Sequence, residues 1–185
     1  MLFLLFQLGQ DRYALEANRV VEVVPLLTLR RLPQTVQGVA GVFNYRGRLV
    51  PALDLCDLTS GQPAPERFST RIIVIHYDHP SGGNHLLGLV AERATELLRT
   101  EARQFVPTGM KRTDAPWLGP VLMDGKGPIL WLHHQGLLPD PVYRQLFSQT
   151  AEGCLTALPC GLEPAPARLP GAGPGGGRAN PEQAL

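Results

Sequence analysis

The hydrophobic positions of this chain fall into short runs broken by turn formers, and rarely into the i, i+3, i+4 spacing of an amphipathic helix. Leu2-Phe-Leu-Leu-Phe-Gln-Leu8 is nearly continuous, as a strand buried on both faces would be, and Gly9-Gln10-Asp11 closes it. Arg12 to Leu15 then reads as its hairpin partner, and Asn18 to Val24 is a further β-branched run. Arg48 to Leu55 reads as a strand in which Pro51 argues for an edge position or a bulge. Thr70 to Tyr77 is the clearest strand. It ends at the turn formers Asp78 to Asn84, and His85 to Val90 returns antiparallel. Pro128 to Leu132 is a late short strand. Helical signal is thin: a turn or two over Gln37 to Phe43, and a short helix over Asp140 to Phe147 with an N-cap Asp and Pro at its first position.

A weak internal repeat organises these elements. At an offset of 74 residues, Leu15/Leu89, Ala17/Ala91, Arg19/Arg93 and Glu22/Glu96 are identical. Each copy follows an apolar strand and a turn, at 2–8 and 70–77, and precedes another turn and strand, at 46–55 and 125–132. The expectation is a mainly β fold of two similar small modules, each too small to stand alone, packed together. Closing them into barrels removes exposed strand edges.

Composition changes the picture near residue 150. From Pro159 to Leu185, 12 of 27 residues are Pro or Gly, which is too little apolar surface to offset the entropy of ordering. The folded part is therefore expected over 1–150, with a flexible, disordered tail over 151–185. The formal net charge of +1 lacks the cationic footprint of a nucleic-acid binder. No apolar run approaches the ~20 residues of a spanning helix, and the apolar start is too short for a signal peptide, so a cytoplasmic protein with no membrane insertion is expected. Three cysteines without a C-x-x-C pair make neither a disulfide framework nor a zinc site.

Chemistry-bearing motifs are scarce. The single G-x-G-x-x-G, at Gly171, Gly173 and Gly176, has no strand before it and no helix after it, so it cannot hold a phosphate in the usual way. His76, His79, His85, His133 and His134 carry no metal-ligand spacing and read as solvent-facing or strand-end residues. Cys56 reads as a small buried residue and the Asp54/Asp57 pair as a weak acid–base signal. No catalytic residue, metal or cofactor is expected. The informative stretch is Leu32 to Leu55. Gly41 and Gly47 bracket a turn, Asn44 can hold it through its side chain, and Arg46 projects from it beside an aliphatic strand, a good protein–protein anchor.

That stretch resembles the CheW-like family, coupling proteins of bacterial chemosensory arrays. The similarity lies in Leu32-Pro33, Val39-Ala40-Gly41, Asn44-Tyr45-Arg46-Gly47 and Val50-Pro51-Ala52-Leu53-Asp54-Leu55. The opening strand with Tyr13-Ala14-Leu15 and Val20 to Val23, the Leu87 to Val90 strand and Met123 to Leu132 are similar too. The resemblance covers about 2–148. It implies two packed SH3-like five-stranded β-barrels without catalytic activity or cofactor. It further implies an adaptor that bridges a chemoreceptor's cytoplasmic tip to the regulatory domain of a CheA-like histidine kinase, at arrays beneath the inner membrane. The partner-binding residues it implies are Val39, Gly41, Asn44, Arg46, Gly47, Val50, Leu87, Gly88, Leu89 and Val90. Val36 and Gly38 depart from the family pattern after Leu-Pro, the 78–85 loop is long and 105–120 matches poorly, as in a divergent member of an alternative chemosensory pathway. Two other readings stay open: a small β-barrel nucleic-acid binder, and an enzyme using Cys56.

Overall fold

In the computed structural model, the described residues are 1–33, 36–79, 83–107 and 115–147. The expected boundary at 150 and the tail over 151–185 lie outside them. Nine strands and two short helices follow in chain order: β1 (Leu2–Leu8), β2 (Asp11–Glu16), β3 (Val20–Pro25), β4 (Val39–Tyr45), β5 (Arg48–Asp54), α1 (Leu55–Ser60), β6 (Thr70–Asp78), β7 (Asn84–Arg99), β8 (Leu118–Asp124), β9 (Gly127–Leu132) and α2 (Asp140–Phe147). The fold is mainly β, as the alternation of runs and turn formers implied.

One expectation needs correction and another holds only locally. Gln37 to Phe43 is not helical: Gln37-Gly38 turns and β4 starts at Val39, because Gly38 and Gly41 disfavour a helix and β5 offers a ladder from Val39↔Leu53 to Tyr45↔Arg48. Pro51 itself has a strand partner on one side only, as an edge position implies, but β5 is not an edge along its whole length. From Ala52 it pairs in parallel with β7, and Pro51 sits one residue before that ladder begins, so its missing N–H leaves no gap in it.

Strand pairing sorts the nine strands into two groups of five that share β7. One group runs β4-β5-β7-β6-β3, using β7 up to Glu92; the other runs β7-β1-β2-β9-β8, using β7 from Glu92 onward. The two groups have matching plans. Hairpin β1–β2 corresponds to β6–β7, with Leu4↔Leu15 answering Ile73↔Leu89, and the parallel pair β2–β9 answers β7–β5. Isolated bridges Arg30↔Val42 and Val106↔Val121 also correspond. The sequence repeat is therefore a structural one, with a twist: each barrel takes one hairpin from one copy and the remaining strands from the other. A 3-10 turn at Ala17–Arg19 separates β2 from β3, and at the equivalent place Arg93, at φ 51°, lies within β7 where its pairing passes from β6 to β1.

This exchange explains the continuous apolar runs. On β1, Phe3 and Leu5 face one barrel's interior with Phe105 and Trp131, while Leu4, Phe6 and Leu8 face the layer between barrels. On β6, Ile72 and Val74 fill the other barrel with Phe43 and Val50, while Ile73, Ile75 and Tyr77 face the same shared layer. Both strands are buried on both sides and have no polar alternation to show. The shared layer is the largest core, and α2 closes it with Tyr143 and Phe147.

Candidate functional site

The β4–β5 hairpin carries the expected anchor. Tyr45↔Arg48 is its last pair, so Arg46-Gly47 is a two-residue loop, with φ 51° and 83°. Positive φ at both central residues is the type I′ requirement, which Asn-Gly normally fills; here an arginine occupies the first place. Asn44 Oδ1 accepts from the Gly47 N–H at 2.8 Å and holds the turn. Arg46 Nη2 lies 2.8 Å from Glu22 Oε2 on β3, and the Tyr45 hydroxyl donates to the same oxygen at 2.6 Å. The guanidinium carbon also stands 5.3 Å from the Tyr45 ring centre. The tyrosine hydrogen bond, aided by Arg46, holds the Glu22 carboxyl below its ordinary range. The Arg46 side chain nonetheless remains 74% exposed, so it is aimed and accessible.

At the other end of β4 lies a cleft of about 870 Å³ under the segment joining β3 to β4. Leu26, Leu29, Val36, Val39, Ala64 and Val90 line it, and Val36 and Leu27 are exposed at its rim. Gly41 pins that segment by close approach. Arg30 and Val42 exchange backbone hydrogen bonds at 2.8 and 2.9 Å, and a Cβ on Gly41, at φ 136°, would lie 2.2 Å from the Arg30 carbonyl oxygen. Asp54 braces the other wall. It accepts from the N–H groups of Cys56 (2.9 Å), Asp57 (3.2 Å) and Ala64 (2.7 Å), capping α1 and tying down the following loop. Asp57 Oδ2 takes the Gly38 N–H at 2.7 Å. The two aspartates are thus engaged in shaping backbone, not in acid–base chemistry.

The ten expected partner-binding residues divide accordingly. Asn44, Arg46 and Gly47 are exposed at the hairpin tip, and Val39 and Val90 border the cleft, Val90 from its almost fully buried position. Gly41 is a buried backbone contact. Val50, Leu87 and Leu89 are 2%, 0% and 0% exposed, and Gly88 packs its backbone against Phe43 and Ile72. Of Leu87 to Val90, then, only Val90 reaches a cleft wall. The rest is core, because Leu87 and Leu89 face the layer between the barrels and Gly88 faces Phe43 and Ile72 inside one barrel.

Cys56 does not fit a nucleophile. It is buried, and desolvation, with Asp54 and Glu92 nearby, pushes its thiol up to about 11. Among the described residues no group of His, Cys, Asp or Glu could hold a metal ion. His76 is exposed, as its spacing suggested, His85 and His133 are half-buried, and His79 and His134 are buried against that expectation. His79 stacks on Tyr143 at 3.8 Å, and His85 stacks on Phe147 at 4.3 Å with its Nε2 3.0 Å from the Tyr143 hydroxyl. His134 is buried at the start of the 3-10 turn that follows β9. The aromatic spacing within Tyr143-x-x-x-Phe147 was the one sequence signal for this cluster.

Comparison with known proteins follows the same lines. The family model for the CheW-like domain matches residues 2–142. Chemotaxis protein CheW of Klebsiella aerogenes is 29% identical over 105 residues, 57% of this chain and 60% of that protein. Protein FrzA of Myxococcus xanthus is 30% identical over 105 residues, covering 57% and 62%. Protein PilI of Pseudomonas aeruginosa is 32% identical over 72 residues, covering 39% and 40%. The matched stretch thus spans about three-fifths, or less, of these relatives' own length. The solved structure of scaffolding protein TtCheW from Thermoanaerobacter tengcongensis shares the fold, with TM-score 0.66 and 20% identity over 76% of this chain and 89% of that one.

Proposed function

Because the chain belongs to the CheW-like domain family, we propose that it is a non-enzymatic adaptor of chemotaxis-type signalling, joining the cytoplasmic tip of a chemoreceptor to the regulatory domain of a CheA-like histidine kinase. It works in the cytoplasm, at receptor arrays beneath the membrane, without a cofactor. Among the described residues no helix is long and apolar enough to cross a membrane.

The observation that carries this reading is Arg46. A long, charged side chain occupies the left-handed position of a two-residue turn, where an L residue is disfavoured, and is braced by Glu22 and Tyr45 while staying exposed. Such an arrangement costs stability and gains a fixed, accessible fork of donors suited to a carboxylate on a partner. The apolar cleft at the far end of β4 supplies a second contact within about 20 Å, the length of a seven-residue strand.

Calorimetry with the full chain and its Arg46→Glu variant tests the proposal, against a receptor-tip hairpin and against the kinase regulatory domain. The expected result is binding of about micromolar affinity. Affinity falls in the variant for the partner that Arg46 serves, while circular dichroism stays unchanged. Absence of binding to both partners by the folded wild-type chain would overturn the adaptor reading.

A further inference from the structure

The duplication relates two arginines that the fold treats differently. Arg19 and Arg93 are equivalent by the offset of 74: Arg19 ends the 3-10 turn before β3, and Arg93, at φ 51°, lies where β7 passes from β6 to β1. Arg19 Nη1 pairs with Asp78 Oδ2 at 2.5 Å, at the end of β6. The residue of β1–β2 that corresponds to Asp78 is Gly9, since Leu8↔Asp11 answers Tyr77↔His85. Gly9 offers no carboxylate. A Cβ built on it would meet nothing within 4 Å, and Arg93 is exposed with no hydrogen bond or ion pair to its guanidinium among the described residues. The place filled by Asp78 in one barrel is open in the other.

That opening belongs to a cleft of about 890 Å³, lined by Gly9, Gln10, Ser60, Gln62, Arg67 and Arg93, among others. We propose that this cleft is a docking site for an acidic segment of a partner protein, whose aspartate or glutamate carboxylate pairs with Arg93 as Asp78 pairs with Arg19. Asp11 and Glu92 also line the cleft, so attraction comes from the position of Arg93 and Arg67 and not from a uniformly positive surface. Glu92 is buried to 9% exposure beneath the strand. Two features favour a peptide over a small anion. The glutamine and serine side chains along the cleft can bond a peptide backbone. Phe68 does not line the cleft, but it is fully exposed and next in sequence to Arg67, so an apolar side chain stands within one residue of a cleft arginine. This surface is distinct from the β4–β5 hairpin, so the adaptor reading and this one stand or fall separately.

The test uses the full chain in two-dimensional amide NMR, titrated with a capped tripeptide carrying Asp between two leucines and with its Asn counterpart. Two variants accompany it. Arg93→Asn removes the guanidinium and keeps a residue type that tolerates φ 51°. Gly9→Asp supplies the missing carboxylate from within the chain, again with a residue type that accepts positive φ. The expected result is a saturable shift of the Gly9, Gln10 and Arg93 signals by the Asp peptide, roughly fivefold or more weaker with the Asn peptide, because the charge-assisted bond is lost. Both variants should abolish it, Gly9→Asp by occupying Arg93. Equal response to both peptides, an unchanged titration in Arg93→Asn, or no response in the wild-type chain would each overturn the proposal.

Discussion

Replacing Arg46 by Asn should make this protein more stable and worse at its task. The β4–β5 loop places Arg46 at φ 51° and Gly47 at φ 83°. An L residue in the left-handed region pays about 1–2 kcal/mol, and Asn is one of the few side chains that offset it locally. Against this relief stands the loss of the Nη2–Glu22 contact at 2.8 Å. With the arginine 74% exposed, that pair is solvated and screened, and surface pairs of this kind contribute little. The Tyr45 hydroxyl keeps its 2.6 Å bond to Glu22 in the variant, so β3 stays tied to the hairpin. The Gly47 N–H to Asn44 bond also survives. The net expectation is a gain of up to about 1 kcal/mol, or a melting temperature higher by about 2–4 °C for a domain of this size. Affinity for the partner served by Arg46 should drop about tenfold or more, as for an anchoring arginine. Urea unfolding and calorimetry on the same preparations measure both. A variant destabilised by about 1 kcal/mol or more would show that Arg46 is a structural clamp on β3. A stabilised variant with unchanged affinity would show that the strained arginine is not kept for binding.

Three further outcomes follow from the core and its titrating groups. Leu89→Ala, at a fully buried position in the layer between the barrels, should cost about 2–5 kcal/mol, with fluorescence and far-ultraviolet circular dichroism unfolding together; separate transitions would refute a shared core. Burial lowers His85, His133 and His134 from the ordinary histidine value, so the unfolded chain binds more protons below about pH 6.5 and stability should fall as pH drops from about 7.5 to about 5.5. A melting temperature that rises on acidification over this window would refute it. With Cys154 and Cys160 replaced by Ser, Cys56 should react with a thiol reagent at neutral pH only after unfolding, since its thiol is pushed up to about 11; rapid labelling of the folded chain would contradict its burial.

The hairpins were legible because their signals are local. Gly9-Gln10 and Asp78 to Asn84 are turn formers set between apolar runs, and the β1–β2 and β6–β7 hairpins appear where the pattern puts them; at Arg46-Gly47 the turn was legible but the strand before it was not. The strand β4 was misread because Val39-Ala40-Gly41-Val42-Phe43 carries no alternation strong enough to beat a helical reading. Its extended form is imposed by β5 and by Arg30, partners distant in sequence. The site shows the same division. Arg46 was legible because its turn chemistry and charge sit together within four residues. The burial of Leu87 and Leu89 was not, because their motif resemblance says nothing about which side chains cover them, and the layer they face is built from residues distant in sequence such as Phe6, Leu15 and Leu132.

The repeat was visible in the sequence, yet its most useful consequence needed the pairing. Four identities at one offset suggest two modules lying one after the other. The ladders show instead that each barrel borrows a hairpin from the other copy, through a β7 long enough to serve both. Exchange of this kind makes the two barrels one cooperative unit, since neither can close without strands from both halves of the chain. It also makes equivalent positions comparable across the molecule. At Arg19 the chain supplies Asp78; at Arg93 it supplies Gly9 and an open cleft. The barrels are alike in how they hold together and unlike at this one pair of arginines, and the contacts proposed here with other proteins fall on two exposed arginines, Arg46, braced by Glu22, and Arg93, which has no such partner among the described residues.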